Sequence, residues 1–395
     1  MTASGFNLQR QNFLDALRGF ALLGILMVNI GAFASAYYGS GLPNPMQVSV
    51  LDQAVSLLIS TFFETKFYVL FSFLFGYSFS IQMISAQNNK RPFKASFLRR
   101  LLGLAILGVL HAQWLYHGDI LLTYALIGLI LLGLRQRSDA FLKHLALALI
   151  GFTTLFWCMM AWMVNAQSAP MLTIADIQHV QSQYLGGWAQ ITAQHRAELG
   201  EIWVILLLLQ APVALAMFCF GLIAGRRQLF LNLALLQAYF KNVYTLGLVL
   251  GLPVAILYAY ASQYQPGSSL EIMSLALGTA TGPMLTALYV VLLIQLYRGQ
   301  YFQFLFKLLA SAGRMALTNY ILQSLVCTYI FFGVGFGWMG QVSPTQMLLI
   351  AFTIFISQCL LSHIWLGFFR YGPLEWLLRS LTHLKTPSPF GRRPG

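Results

Sequence analysis

Charge is what this sequence has least of. Asp and Glu number 10 and Lys and Arg 23 among 395 residues, so 8% of the chain is charged while 58% is hydrophobic. A water-soluble chain of this length cannot cover its surface from that mix, and the composition implies a polytopic helical membrane protein. Cysteine is scarce too. Cys158, Cys219, Cys327 and Cys359 each stand alone in an apolar run, which argues against a disulfide framework and against cysteine-based metal binding, and favours core filling. No His-Glu-x-x-His, Gly-x-Ser-x-Gly or phosphate-binding loop occurs, so those hydrolase and nucleotide chemistries have no motif to rest on. Neither an internal repeat nor a pair of broken helices at matching positions is evident, which weakens an inverted-repeat transporter. The first apolar run is too long for a cleavable signal and leads into further spans.

What is present is a series of apolar stretches. Ten spans are expected, at about 16–37, 53–84, 98–116, 119–134, 141–164, 202–224, 242–261, 272–296, 315–337 and 345–368. Their loops alternate in charge. Lys90, Arg91, Lys94, Arg99 and Arg100 follow the second span, Arg135, Arg137 and Lys143 the fourth, Arg226 and Arg227 the sixth, and Arg298, Lys307 and Arg314 the eighth. The opposite loops hold most of the acids, among them Asp52, Asp119, Asp176, Glu198 and Glu271. The formal charge of +13 is therefore topology and not a nucleic-acid face. The expectation is an all-α polytopic membrane protein of about ten transmembrane helices with both termini cytoplasmic. It would form one domain over 1–385, with an outer cap at about 165–201 and a disordered tail at 386–395 rich in Pro, Gly and Arg.

Polar groups at membrane depth cost several kcal/mol unless paired, so each is a functional candidate. The hairpin 97–134 carries two: His111, about eleven residues above Arg100, and Asp119 in the polar turn Tyr116-His117-Gly118-Asp119. Its arms are about sixteen residues, or roughly 24 Å, short of a hydrocarbon slab of about 30 Å, so the turn should be buried in protein. Asn29, Gln323 and Gln358 reach the level of His111. Lys66 comes out near Asp119, and Asp15, Arg18, Arg314 and Asn319 lie toward the inner mouth. Simpler roles compete in each case. Asn and Gln side chains bond helices together, and Asp15 with Arg18 makes an interfacial ion pair. Lys66 can pair with Asp119 or snorkel outward. His117, His144, His179, His195 and His383 lie in or near loops and are given no role.

Beyond these groups, Leu14-Asp15-Ala16-Leu17-Arg18-Gly19-Phe20-Ala21 with Gly24 and Asn29 resembles the opening of the YeiB family of bacterial inner-membrane proteins. Lys66-Phe67, Leu74-Phe75-Gly76, His111, Gly118-Asp119-Ile120-Leu121, Gly313-Arg314-Met315-Ala316-Leu317-Thr318-Asn319-Tyr320 and Tyr371-Gly372-Pro373-Leu374-Glu375-Trp376 extend the resemblance over essentially the whole chain. The opening Asp-x-x-Arg-Gly box is also similar to those of membrane acyltransferases. One such group includes heparan-alpha-glucosaminide N-acetyltransferase, and another O-acylates bacterial polysaccharides. These similarities imply an acyl-CoA donor, acetyl-CoA foremost, on the cytoplasmic side of a bacterial inner membrane, and a small or glycan acceptor outside.

The sequence reading is therefore transmembrane acyl transfer. Arg18 and Arg314, with Asp15, Asn319 and Gln323, would hold the donor, since Arg suits phosphate geometry. His111 would act as general base. Asn29 or Gln323 would donate to the developing oxyanion, where one donor is worth about 3 kcal/mol. Asp119 would orient the hairpin, and Lys66 would meet the substrate. The alternative is a transporter or exporter of a small anionic metabolite, with Lys66 and Arg18 as substrate charges and Asp119 and His111 as a proton relay. Membrane lipid is the surrounding partner, no nucleic acid and no metal are expected, and self-association into a homo-oligomer stays open.

Overall fold

The computed structural model describes residues 3–166, 172–230, 233–384 and 386–390, and it is helical throughout. Among the described residues the sole β pairing is an isolated bridge between Phe369 and Phe390. Among the described residues seven helical stretches are long and apolar enough to cross a membrane, and Leu121–Leu134 and Ala316–Phe331 are shorter apolar helices. The protein is an all-α polytopic membrane protein. Helix α1 (Ala3–Ala34) is followed by α2 (Val50–Phe62), α3 (Phe67–Asn88), α4 (Phe93–Trp114), α5 (Leu121–Leu134) and α6 (Asp139–Ala166). Two helices, α7 (Ile174–Tyr184) and α8 (Trp188–Ile205), occupy the segment expected to form a cap. Residues 167–171 of that segment lie outside the described residues.

The rest of the chain comprises α9 (Ala211–Arg226), α10 (Leu233–Ala238), α11 (Phe240–Leu246), α12 (Leu252–Tyr264), α13 (Ser269–Arg298), α14 (Gln303–Arg314), α15 (Ala316–Phe331), α16 (Pro344–Phe368) and α17 (Pro373–His383). One-turn π segments, Leu206–Gln210 and Gly247–Gly251, join α8 to α9 and α11 to α12. Each ends just before a proline, Pro212 or Pro253. Proline cannot donate to the helical ladder, and the wider turn absorbs the mismatch without breaking the helix.

Three elements depart from the expected spans. The stretch 53–84 is two helices, because Thr65 takes a left-handed φ of 66° and turns the chain between α2 and α3. The stretch 315–337 stops at Phe331, and Gly333 and Gly335 then pack where a side chain would strike the carbonyls of Leu185 and Tyr329. Helix α14 is amphipathic, not a continuous apolar run, and so left no span signal. At the chain end, residues 386–390 return to α16 and α17. Pro389 accepts from the Arg370 amide at 3.0 Å and Pro387 from Trp376 Nε1 at 2.9 Å. Residues 391–395 of the expected disordered tail lie outside the described residues.

Glycine sets the closest helix crossings. A Cβ on Gly313 of α14 would run into the Asp15 carbonyl of α1, and one on Gly19 would run into the Leu309 carbonyl. Gly76 of α3 and Gly221 of α9 meet the Phe218 and Phe73 carbonyls in the same reciprocal way. In a bilayer, where apolar burial does not drive helices together, such backbone approach supplies the van der Waals contact. The Asp-x-x-Arg-Gly box thus packs directly on the Gly313-Arg314 end of α14, which places these two sequence boxes at one end of the molecule. That end is basic. The opposite end carries the α4–α5 turn, α7 and α8.

Candidate functional site

The α4–α5 hairpin folds so tightly that a Cβ on Gly108 would lie 2.5 Å from the Leu122 amide and 2.7 Å from Asp119 Oδ2. Its absence lets Asp119 reach both arms. One carboxylate oxygen, Oδ2, accepts from the Leu122 amide at 2.9 Å, capping α5. The other, Oδ1, lies 2.8 Å from His111 Nδ1. Because a carboxylate accepts and cannot donate, this contact places the imidazole proton on Nδ1 and leaves Nε2 as an acceptor. Nε2 in turn lies 2.8 Å from Ser324 Oγ, on α15. The result is an Asp119–His111–Ser324 relay with the atom order of a nucleophile, its base and the base's orienting acid. Exposures of 2% for His111, 2% for Asp119 and 3% for Ser324 put the relay in a water-poor interior, where these contacts are strongest.

Helix α15 is fixed against this hairpin at a second point, since Thr328 Oγ1 donates to the Leu115 carbonyl at 3.3 Å. Tyr320, one turn before Ser324, rests its ring 4.9 Å from the His111 ring, and among the described residues its buried hydroxyl donates to no acceptor. A donor left over beside a nucleophile is where an oxyanion would find one.

The other sequence candidates fall into four groups. Asn319 donates to the Ala312 carbonyl at 3.1 Å and to Ser362 Oγ at 2.9 Å. Gln323 donates to Gln358 Oε1 at 3.0 Å, and Gln358 donates to the Asn319 carbonyl at 3.0 Å. These amides bind α14, α15 and α16 together, and His111 bonds their neighbour Ser324 instead. Arg18 pairs with Asp15 and donates to Ser78 Oγ at 2.6 Å, while Arg314 closes α14 where that helix meets Asp15. Lys66, 3% exposed, donates to the Ser60 carbonyl at 3.1 Å and makes no bond to Asp119. Asn29 is half-buried on α1 and makes no hydrogen bond to any of the three relay residues.

Comparison with known proteins fits the sequence resemblance. A family model described as "Protein of unknown function (DUF418)" matches residues 224–385. The chain is 28% identical to protein YeiB of Escherichia coli (strain K12) over 405 residues, spanning 95% of this chain and 97% of that one. It is 31% identical to protein YxaH of Bacillus subtilis (strain 168) over 392 residues, spanning 95% of each. The chain belongs to the YeiB family.

This YeiB-family protein also holds a second cluster, above the relay, made of residues that the sequence left without a role. His117 Nδ1 lies 2.9 Å from Glu198 Oε2, which also accepts from the Tyr184 hydroxyl, and Gln194 donates to Glu198 Oε1 at 2.8 Å. His195 Nδ1 donates to the Gln113 carbonyl at 3.3 Å, so α8 clasps the last turn of α4. Burial acts to raise the Glu198 carboxyl, but the bonds from His117, Tyr184 and Gln194 outweigh it and hold it below its ordinary value. Burial, with the neighbouring His117, pushes the His195 imidazole down to about 4. Burial and Glu198 together push the Tyr184 hydroxyl up. Ser324 did leave one signal in the sequence. Tyr320, Ser324 and Thr328 recur every fourth residue, a polar stripe on one face of an otherwise apolar helix.

Proposed function

We propose that this protein transfers an acyl group from an acyl-CoA at its basic, cytoplasmic end to a small or glycan acceptor that enters from the acidic, outer end. The observation that carries this reading is the Asp119–His111–Ser324 relay. Ser324 Oγ attacks the thioester carbonyl while His111 Nε2 takes the hydroxyl proton, and Asp119 holds the imidazolium that forms. The C–S bond breaks and the thiolate leaves with the proton from His111. The acceptor O–H or N–H then attacks the acyl-serine, gives its proton to His111, and Ser324 leaves with it. Tyr320 donates to the oxyanion in both halves. The similarity of the Asp15-x-x-Arg18-Gly19 box to membrane acyltransferases supports the donor class. A cleft of about 330 Å³ at the acidic end, bordered by Ser35, Tyr37, Gln178 and Gln181, supports acceptor entry there. The relay is shut off from solvent, so turnover requires α15 or the α7–α8 cap to shift.

The test is acyl labelling. Purified protein incubated with a short-chain acyl-CoA should carry the acyl group on Ser324 by peptide mass spectrometry, and Ser324→Ala and His111→Ala should not. An unlabelled wild type at millimolar donor, with no thioester consumed, overturns the proposal.

One observation favours a second reading, export of a small anion. Among the described residues the buried Lys66 ammonium hydrogen-bonds one carbonyl, with the Glu64 charge nearby, and it borders a small cavity lined by Thr65, Gly251, Tyr258 and Gly282. If that charge carries substrate, Lys66→Met abolishes transport in vesicles and leaves coenzyme A binding untouched.

A further inference from the structure

The basic end carries a second cluster of charge that the relay does not use. Arg18 of α1 donates to Ser78 Oγ and Arg100 of α4 to Gln82 Oε1 at 3.5 Å. Ser78 and Gln82 are one turn apart on α3, so the two guanidinium groups lie side by side along one helix face. Arg379 of α17 comes close enough to act on the charge of Arg100, as does Arg18, and is stacked over the Tyr371 ring at 4.6 Å. Arg99 joins them through the Thr382 carbonyl at 2.9 Å.

Two carboxylates stand nearby, and both are committed. Asp15 holds Arg18. Glu375 accepts from the Leu317 and Thr318 amides at 2.7 and 3.0 Å and from the Thr318 hydroxyl at 2.6 Å, so it caps α15. Among the described residues Arg100 has no carboxylate at ion-pair distance, and its buried Nε has no hydrogen-bond partner. The neighbouring His383 adds no positive charge near neutral pH, because burial and Arg379, Arg91 and Arg99 hold its imidazole below its ordinary value.

Guanidinium groups repel one another, the Glu375 charge offsets only part of what burial and the neighbouring arginines impose on Arg100, and a part-buried group with an unmet donor gains from an anion that completes it. The planar fork of Arg matches a phosphate with two parallel bonds, and its charge persists at any physiological pH. We propose that Arg18, Arg100 and Arg379 form a binding site for a phosphate-bearing anion, with Arg100 as its central ligand. The site is eleven residues below His111 on the same helix, about 16 Å at about 1.5 Å per residue. A phosphate ester held there presents an extended arm toward Ser324, whereas a phospholipid held there keeps its headgroup at the interface. The anion site stands without the acyl-transfer reading. That reading adds only which phosphate occupies it.

The experiment uses full-length protein in detergent and in nanodiscs. Binding of pyrophosphate and of coenzyme A is titrated, and retention of phosphatidylglycerol against phosphatidylcholine is measured by native mass spectrometry. The variants are Arg100→Gln, Arg100→Lys and Arg379→Gln. Arg298→Gln, which removes an exposed charge elsewhere, is the control. Loss of about tenfold or more in Arg100→Gln and Arg379→Gln, partial recovery in Arg100→Lys, and weakening with added salt support the site. Loss confined to coenzyme A and pyrophosphate identifies a soluble phosphate, and loss confined to phosphatidylglycerol identifies a headgroup. Should Arg100→Gln not fold, the exposed Arg379 carries the test alone. Binding equal to that of Arg298→Gln for every probe overturns the proposal. Ser324→Ala should bind each anion as wild type does, so failed acyl labelling and a failed anion site give separate results.

Discussion

At the scale of single residues, the decisive fact is which nitrogen of His111 carries its proton. Asp119 sets this, and it also caps α5 through its other oxygen. Asp119→Asn separates the two jobs. The amide oxygen still accepts from Leu122, while the amide NH₂ donates to Nδ1 and forces the proton onto Nε2. The expected result is a folded protein whose His111 shows the reversed tautomer in its ¹⁵N shifts, with acyl transfer to Ser324 reduced on the order of 10⁴-fold. A wild-type ¹⁵N pattern with Nε2 protonated would contradict the relay. The sequence made His111 and Asp119 visible because charge at membrane depth is rare. The acyl-transfer reading of the sequence gives Asp119 to the hairpin, and only the transport alternative couples it to His111, as a proton relay. Ser324 escaped because a serine costs little in a helix, where its hydroxyl can bond the preceding turn. Only the fold, 213 residues on, shows it bonding a histidine instead.

At the scale of elements, two devices hold the site's helices, and each makes a prediction. Glu375 caps α15, which carries Ser324, from a different helix. Glu375→Ala leaves two amides and a hydroxyl unmet and should cost about 1–3 kcal/mol, read as a lowered melting temperature in detergent. Glu375→Gln, which keeps one acceptor, should cost less. At the other end α8 clasps α4 through His195. The His195 imidazole is held near 4, so between that value and its unfolded value of about 6.5 the unfolded chain binds a proton that the folded chain refuses. Stability of the cap therefore falls as pH drops through that window. Glu198, held below its ordinary value, adds a further loss below the usual carboxylate range. Hydrogen exchange over α7 and α8, corrected for intrinsic rate, should rise between pH 7 and pH 5, and His195→Gln should flatten that rise. An exchange profile independent of pH in the wild type would remove the clasp. The sequence suggested a cap over this segment but not the contacts that clasp it. His117, His195 and Glu198 are ordinary loop and helix residues until α8 folds back over the turn.

At the scale of the whole molecule, the apolar periods and loop charges were legible because a bilayer permits so few backbone solutions. Close packing was not, since a glycine in sequence does not name its partner. Gly313→Ala must force α1 from α14 and should destabilise by about 1–3 kcal/mol, whereas Gly133→Ala, which meets nothing within 4 Å, should be neutral or slightly stabilising. The acyl-transfer proposal also requires an orientation, the one that the loop charges favour. The basic end holds the arginine cluster and the acidic end the relay's cap, so a donor and an acceptor on opposite sides of the membrane require the basic end to face the cytoplasm. Single cysteines test this in a background lacking Cys158, the half-buried native thiol, the other three being buried. Ser182→Cys on α7 and Arg298→Cys at the end of α13 are both exposed and lie at opposite ends. In intact spheroplasts a membrane-impermeant maleimide should label the first and spare the second until the membrane is opened. Labelling in the reverse order would put the arginine cluster outside. A cytoplasmic acyl-CoA could then never reach it, and the acyl-transfer reading would fall with the orientation.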